Sequence, residues 1–141
     1  MDENKRHHLL TIQTIIARMG VNSFLLKGWS VTLISALFAL EASKGNKTFI
    51  WIAFLPCIVF WGLDGYFLWQ ERLFRALYNK VRATDERSID FSLDTQSVLG
   101  QAPSLPKAIF RPTVLFFHGS LLIAVIVALA VSIWRCSPAA N

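Results

Sequence analysis

The chain has little of what soluble enzymes are built from. Its 141 residues include two cysteines, seven glycines and five prolines. None falls into a paired-cysteine zinc motif, a glycine-rich phosphate loop or a nucleophile elbow. His7 and His8 are adjacent, so on a helix they point to different faces and do not make a metal site. No catalytic, cofactor-binding or metal-ligating residue is therefore assigned, and a non-enzymatic protein is expected. Cys57 lies inside an apolar run and Cys136 beyond the last one, which argues against an intrachain disulfide. Cys57 is read as packing, and a cross-link between copies through Cys136 is left open. Acidic residues are also scarce, nine against fourteen Lys and Arg. A basic balance suits an anionic membrane surface or nucleic acid, and where the charges lie favours the membrane.

Three apolar runs, Phe24–Leu40, Phe49–Trp69 and Thr113–Trp134, make up nearly half of the chain. At ~1.5 Å per residue each is long enough, or nearly so, to cross ~30 Å of hydrocarbon. The expected fold is all-α, a three-transmembrane-helix membrane protein in one domain, residues 1–141. Trp29, Trp51, Trp69 and Trp134 fall at the ends of runs, where indole prefers the headgroup layer, and Trp61 alone lies inside one. Of the fourteen basic residues, only Lys44, Lys47 and Arg135 lie on the side of the short loop and the tail. The positive-inside rule then places the N-terminus and the long loop in the cytoplasm and the C-terminus outside, in a bacterial inner membrane. The first run is read as a retained signal anchor, because no small-x-small site follows it.

Residues 4–19 read as an amphipathic helix, with Leu9, Ile12, Ile16 and Met19 at helical spacing. Gly20 is expected to stop it, and Asn22 or Ser23 to cap the next helix. Packing beneath the spans is favoured over lying in the headgroup layer. The loop Glu41–Thr48 makes spans one and two a tight hairpin. Past Trp69 the helical pattern persists over 70–82, predicting a cytoplasmic extension of the second span some 18 Å long. Residues 83–107 are a polar connector, within which Ile89–Leu93 alternates like a strand.

Asp64 is the most informative residue, about five positions inside span two and roughly 8 Å deep at helical rise. His118 on span three and Lys27 on span one enter the same layer. An intramembrane polar cluster of Lys27, Asp64 and His118 is expected, either lining a conduit or fixing helix register as an internal pair. Arg111 and His118 also match the Arg-x6-His spacing of HEPN ribonucleases, but RNA does not follow a histidine into hydrocarbon. Small residues recur every four positions at Gly28, Thr32 and Ala36, and at Ser120, Ala124, Ala128 and Ser132. These rows allow close helix packing, within one protomer or between copies.

The stretches Asn22–Ser30, Leu63–Arg75 and Asp90–Leu93 resemble a widespread family of small bacterial multi-pass membrane proteins. Some of these are similar to membrane accessory components of phage-defence loci, of the RADAR type and of type VI-B CRISPR systems. The resemblance covers about the first two-thirds of the chain. It implies that Lys27, Asp64, Glu71, Arg72 and Arg75 matter beyond topology, with Glu71, Arg72 and Arg75 meeting a partner or signal. It also implies a membrane effector or accessory protein in phage defence that oligomerises and perturbs or permeabilises the bilayer. Its expected partners are the lipid bilayer, further copies of itself and a cytoplasmic protein; no cofactor is implied and nucleic acid is disfavoured. A passive anchor for a cytoplasmic complex, or a small channel or transporter, are the alternatives.

Overall fold

The computed structural model describes residues 3–136, with side chains described through Trp134. Four α-helices, α1 (Glu3–Lys44), α2 (Thr48–Ala83), α3 (Leu105–Ile109) and α4 (Pro112–Cys136), and two short 3₁₀ turns account for the regular structure, with no strand among the described residues. Three of the helices, α1, α2 and α4, are long and apolar enough to cross a membrane, so the chain is a multi-pass membrane protein.

The amphipathic segment expected over 4–19 is not a separate helix. α1 runs without a break through Gly20 for 42 residues, about 63 Å at helical rise. Glycine inside a helix costs only about 1 kcal/mol, and one partner, α2, holds both sides of that position. On the N-terminal side Leu9 and Ile12 pack with Leu77 and Val81. On the far side Ile34 packs with Ile50, Ala53 and Cys57. Ser23, expected as a cap, instead turns its hydroxyl to Asp64 of α2.

α1 and α2 form an antiparallel hairpin, packed along nearly their whole length. It closes through residues 45–47, a shorter break than the expected eight-residue loop. Gly45 makes this possible with φ +62°, its N–H donating to the Glu41 carbonyl at 2.7 Å. That left-handed position ends α1 at little steric cost. α2 continues past the apolar run to Ala83, as its sequence pattern predicts. The parts of α1 and α2 beyond the apolar runs thus form a two-helix stalk. Its end is tied by Lys5, whose buried Nζ donates to the carbonyls of Arg82 at 3.2 Å and Thr84 at 2.7 Å. An ammonium is well placed there, among the unpaired carbonyls of a helix C-terminus.

The polar connector is folded onto the stalk. Val98 is fully buried with Leu9, Ile12, Leu77 and Val81, and Ile89 packs beside them. Ile89–Leu93 is not a strand. Phe91 takes φ +53° and sets its ring edge-on to the buried His8. The segment is held by a relay in which the N–H groups of Ser92, Asp94 and Gln96 donate to the side chains of Asp90, Ser92 and Asp94. Such turns satisfy backbone donors without a sheet ladder.

α4 lies against α2 and touches α1 at few places. One is the Ser132 hydroxyl, which donates to Glu41 Oε1 at 3.2 Å. Val125 joins the cluster around Ile34, Ile50 and Cys57. Cys57 is buried there as a free thiol, and the Cys136 side chain lies outside the described residues.

Candidate functional site

Where the stalk meets the apolar helices, α1, α2 and α4 converge on one carboxylate. Asp64 and His118 are both wholly buried. Lys27 Nζ lies 2.6 Å from Asp64 Oδ2, and His118 Nε2 lies 3.1 Å from the same oxygen. The Ser23 hydroxyl donates to Oδ1, while Lys27 Nζ also donates to Ser23 Oγ at 2.9 Å. Lys27 and His118, expected to share a layer with Asp64, therefore both contact its carboxylate, and Ser23 is a fourth member.

Helical spacing explains the convergence. Ser23 and Lys27 are one turn apart and occupy one face of α1. Asp64 lies two turns from Cys57, which faces the same packed side of α2. His118 sits on the buried face of α4 with Val114 and Val125. The carboxylate has one cation and one hydroxyl beside it and accepts the imidazole N–H. Its charge is matched by Lys27, whose side chain retains 26% exposure at the edge of the cluster. Buried charge is tolerated where such partners surround it.

Aromatic rings shield the imidazole. Trp61 stacks on His118 at 6.3 Å with an interplanar angle of 11°, and Phe117 meets it edge-on at 5.0 Å. Trp61 Nε1–H donates to the Ile109 carbonyl at 3.1 Å, joining the cluster to α3. α3 comes so close to α2 because residue 65 is glycine. A Cβ there would lie 2.5 Å from Ile109 Cγ1 and 2.7 Å from its Cα. The Asp64-Gly65 pair thus sends a carboxylate to α1 and α4 and opens a backbone seat for α3.

Other expected contacts fall elsewhere. Glu71 and Arg75 form an i,i+4 pair at 2.7 Å on the stalk, with Arg75 56% exposed and Glu71 16%. Arg72 is half-buried, its Nε without a hydrogen-bond partner among the described residues. The rows of small residues do not pack against each other within the protomer. Gly28, Thr32, Ala36, Ser120 and Ala124 are exposed, Ala128 is half-buried, and Ser132 alone is buried. Their outward aim follows from α4 leaning on α2, which leaves α1 and α4 apart.

Ser23, Trp61 and Gly65 were missed as site residues. A serine one turn before Lys27 was a usable signal, as was the single tryptophan inside a run. Nothing in the sequence paired Gly65 with Ile109, 44 positions later. No group of histidine, cysteine and acidic residues fit to hold a metal occurs among the described residues. His118 Nε2 is committed to Asp64 and its ring is covered, an arrangement unlike an exposed ribonuclease histidine. No family model matches this chain, and no match is found among curated proteins or solved structures. The site is therefore read from its own chemistry.

Proposed function

We propose that the chain is a non-enzymatic membrane effector or accessory protein of bacterial phage defence, which self-associates and perturbs the bilayer when a signal reaches its stalk. In this reading it sits in the inner membrane with its stalk in the cytoplasm. The observation that carries it is the position of Asp64. A single carboxylate ties all three long helices together at the level where the water-facing stalk enters the apolar segments. Any tilt of the stalk pulls on that carboxylate and so reaches α1 and α4 at once.

The resting arrangement is closed. Asp64 is fully covered. The outward rows Gly28, Thr32, Ala36 and Ser120, Ala124 support contacts between copies rather than within one. Two buried polar atoms, Ser30 Oγ three positions beyond Lys27 and Nδ1 of His118 within the cluster, have no partner among the described residues. Each unmet group costs about 1–3 kcal/mol, so an arrangement that satisfies them competes with the closed one. A signal selects that arrangement only by binding it more tightly.

The docked connector favours a second reading, a passive anchor. Residues 84–104 are folded against the stalk and give a partner a defined surface. Liposomes loaded with a self-quenched dye separate the two. Leakage on adding purified protein at a density high enough to drive self-association without the signal, abolished by Asp64→Asn with insertion retained, is the effector's result. Recruitment of a cytoplasmic complex to intact, non-leaking vesicles is the anchor's.

A further inference from the structure

The exposed side of α1 carries one continuous row without a charge. From Glu3 to Val21 the exposed apolar residues are Leu10, Ala17 and Val21, spaced by seven and then four. Leu10 is 52% and Val21 56% exposed. Thr14 fills the position between Leu10 and Ala17, and the same alternation continues through Phe24, Gly28, Val31 and Ser35, every one exposed. Successive steps of four and three make a 3.5-residue repeat, at which two helices wind around each other with interlocking side chains. No position on this seam from Leu10 to Ser35 is charged. α2 covers the opposite side of α1 through Ile12, Ser23, Lys27 and Ile34.

The stalk end of the seam borders a groove of about 740 Å³ along the flank of the hairpin, lined by Leu10, Thr14 and Ala17 on one side and by Arg75 and Tyr78 of α2 on the other. With the stalk in the cytoplasm, as in the reading above, lipid accounts for exposure from Phe24 onward but not for Leu10 and Ala17. A soluble partner would cover the stalk part and leave the repeat in the apolar part without purpose. The occupant must itself pass from water into lipid as an unbroken helix, at the same height.

We propose that this occupant is α1 of a second copy, lying parallel to the first about a two-fold axis, with each α1 seated against the groove of its partner. Two copies inserted in the same sense meet this seam at equal depth without adjustment. Ala17, Gly28 and Ser35 allow the backbones to approach, while Leu10, Val21, Phe24 and Val31 interlock between them. The flanking positions bring Gln13 of one copy beside Arg18 of the other, so no pair of like charges is forced together. A contact of a surface with itself closes at two copies. The proposal rests on the self-association in the reading above and gives it a surface, one distinct from the four-residue rows apart from Gly28.

Cysteine cross-linking in native membranes tests it, in a Cys57→Ser, Cys136→Ser background. Leu10→Cys, Ala17→Cys and Val21→Cys should each yield disulfide-linked dimers on mild oxidation. Gln13→Cys and Arg18→Cys should yield several-fold less, because flanking Cα atoms in such a pair lie beyond the ~7 Å that a disulfide bridges. Adding Val21→Glu to the Leu10→Cys chain should abolish its cross-link while membrane insertion persists. Equal yields at all five positions, yields concentrated at Ala124→Cys on α4, or none at all would overturn the proposal. Dye leakage is read separately. Seam cross-links without leakage keep the interface and remove the membrane-perturbing role; leakage without seam cross-links does the reverse.

Discussion

The two buried layers at the stalk and at its junction with the apolar helices are opposites in composition. In the stalk, Leu9, Ile12, Leu77, Val81 and Val98 form an apolar core that keeps out water. A few turns along the same hairpin, the buried centre is Ser23, Lys27, Asp64 and His118. Each layer holds together by what its surroundings lack. Water drives apolar side chains together, whereas lipid tails are as apolar as leucine and offer no such drive. Polar groups gain most where the alternative is hydrocarbon.

Replacing the carboxylate should produce the largest effect on this contrast. Asp64→Ala strands Lys27 and removes the acceptor shared by Ser23 and His118, and losing one partner of a buried pair costs about 3–5 kcal/mol. Its detergent-solubilised form should lose thermal stability sharply, monitored by tryptophan fluorescence, while urea sensitivity of the stalk changes less. Equal loss in both regions would mean the layers do not act separately.

Ile12→Ala should act in the converse way. It opens a cavity in a site with no exposure, at about 2–5 kcal/mol. Limited proteolysis should then cut the connector and stalk, with the apolar helices still protected. Protection of the stalk at wild-type level would show that the core around Val98 contributes little.

Gly65→Ala is expected to have the smallest effect, about 1–3 kcal/mol from overpacking against Ile109. Trp61 reports it, since displacing α3 breaks the indole's bond to the Ile109 carbonyl and should red-shift its emission. An unchanged spectrum would mean that α3 adjusts without leaving Trp61.

The sequence made the three long helices, the extended α2 and the meeting of Lys27 with Asp64 and His118 legible, because span length and depth along each helix were enough to place them. The continuity of α1 was not legible. Gly20 with Asn22 and Ser23 is a good local stop signal, and what overrides it is α2 packed on both sides, a tertiary effect. The docking of the connector was hidden for a related reason. Its polar residues look like solvated loop, yet Asp90, Ser92 and Asp94 spend their side chains on their own backbone. That frees Ile89 and Val98 to reach the stalk. The outward aim of the small rows depended on which neighbour α4 chose, and helical periodicity carries no information about that choice.

The hairpin turn at Gly45 has a consequence for how such a molecule is addressed. With only residues 45–47 between α1 and α2, that connection presents almost no polypeptide beyond the bilayer for another molecule to grip. The stalk and its folded connector offer a large, shaped surface at the opposite end. On the proposed reading, messages enter this hairpin at the stalk, and the bend at the other end serves as a hinge-less stop rather than a receptor.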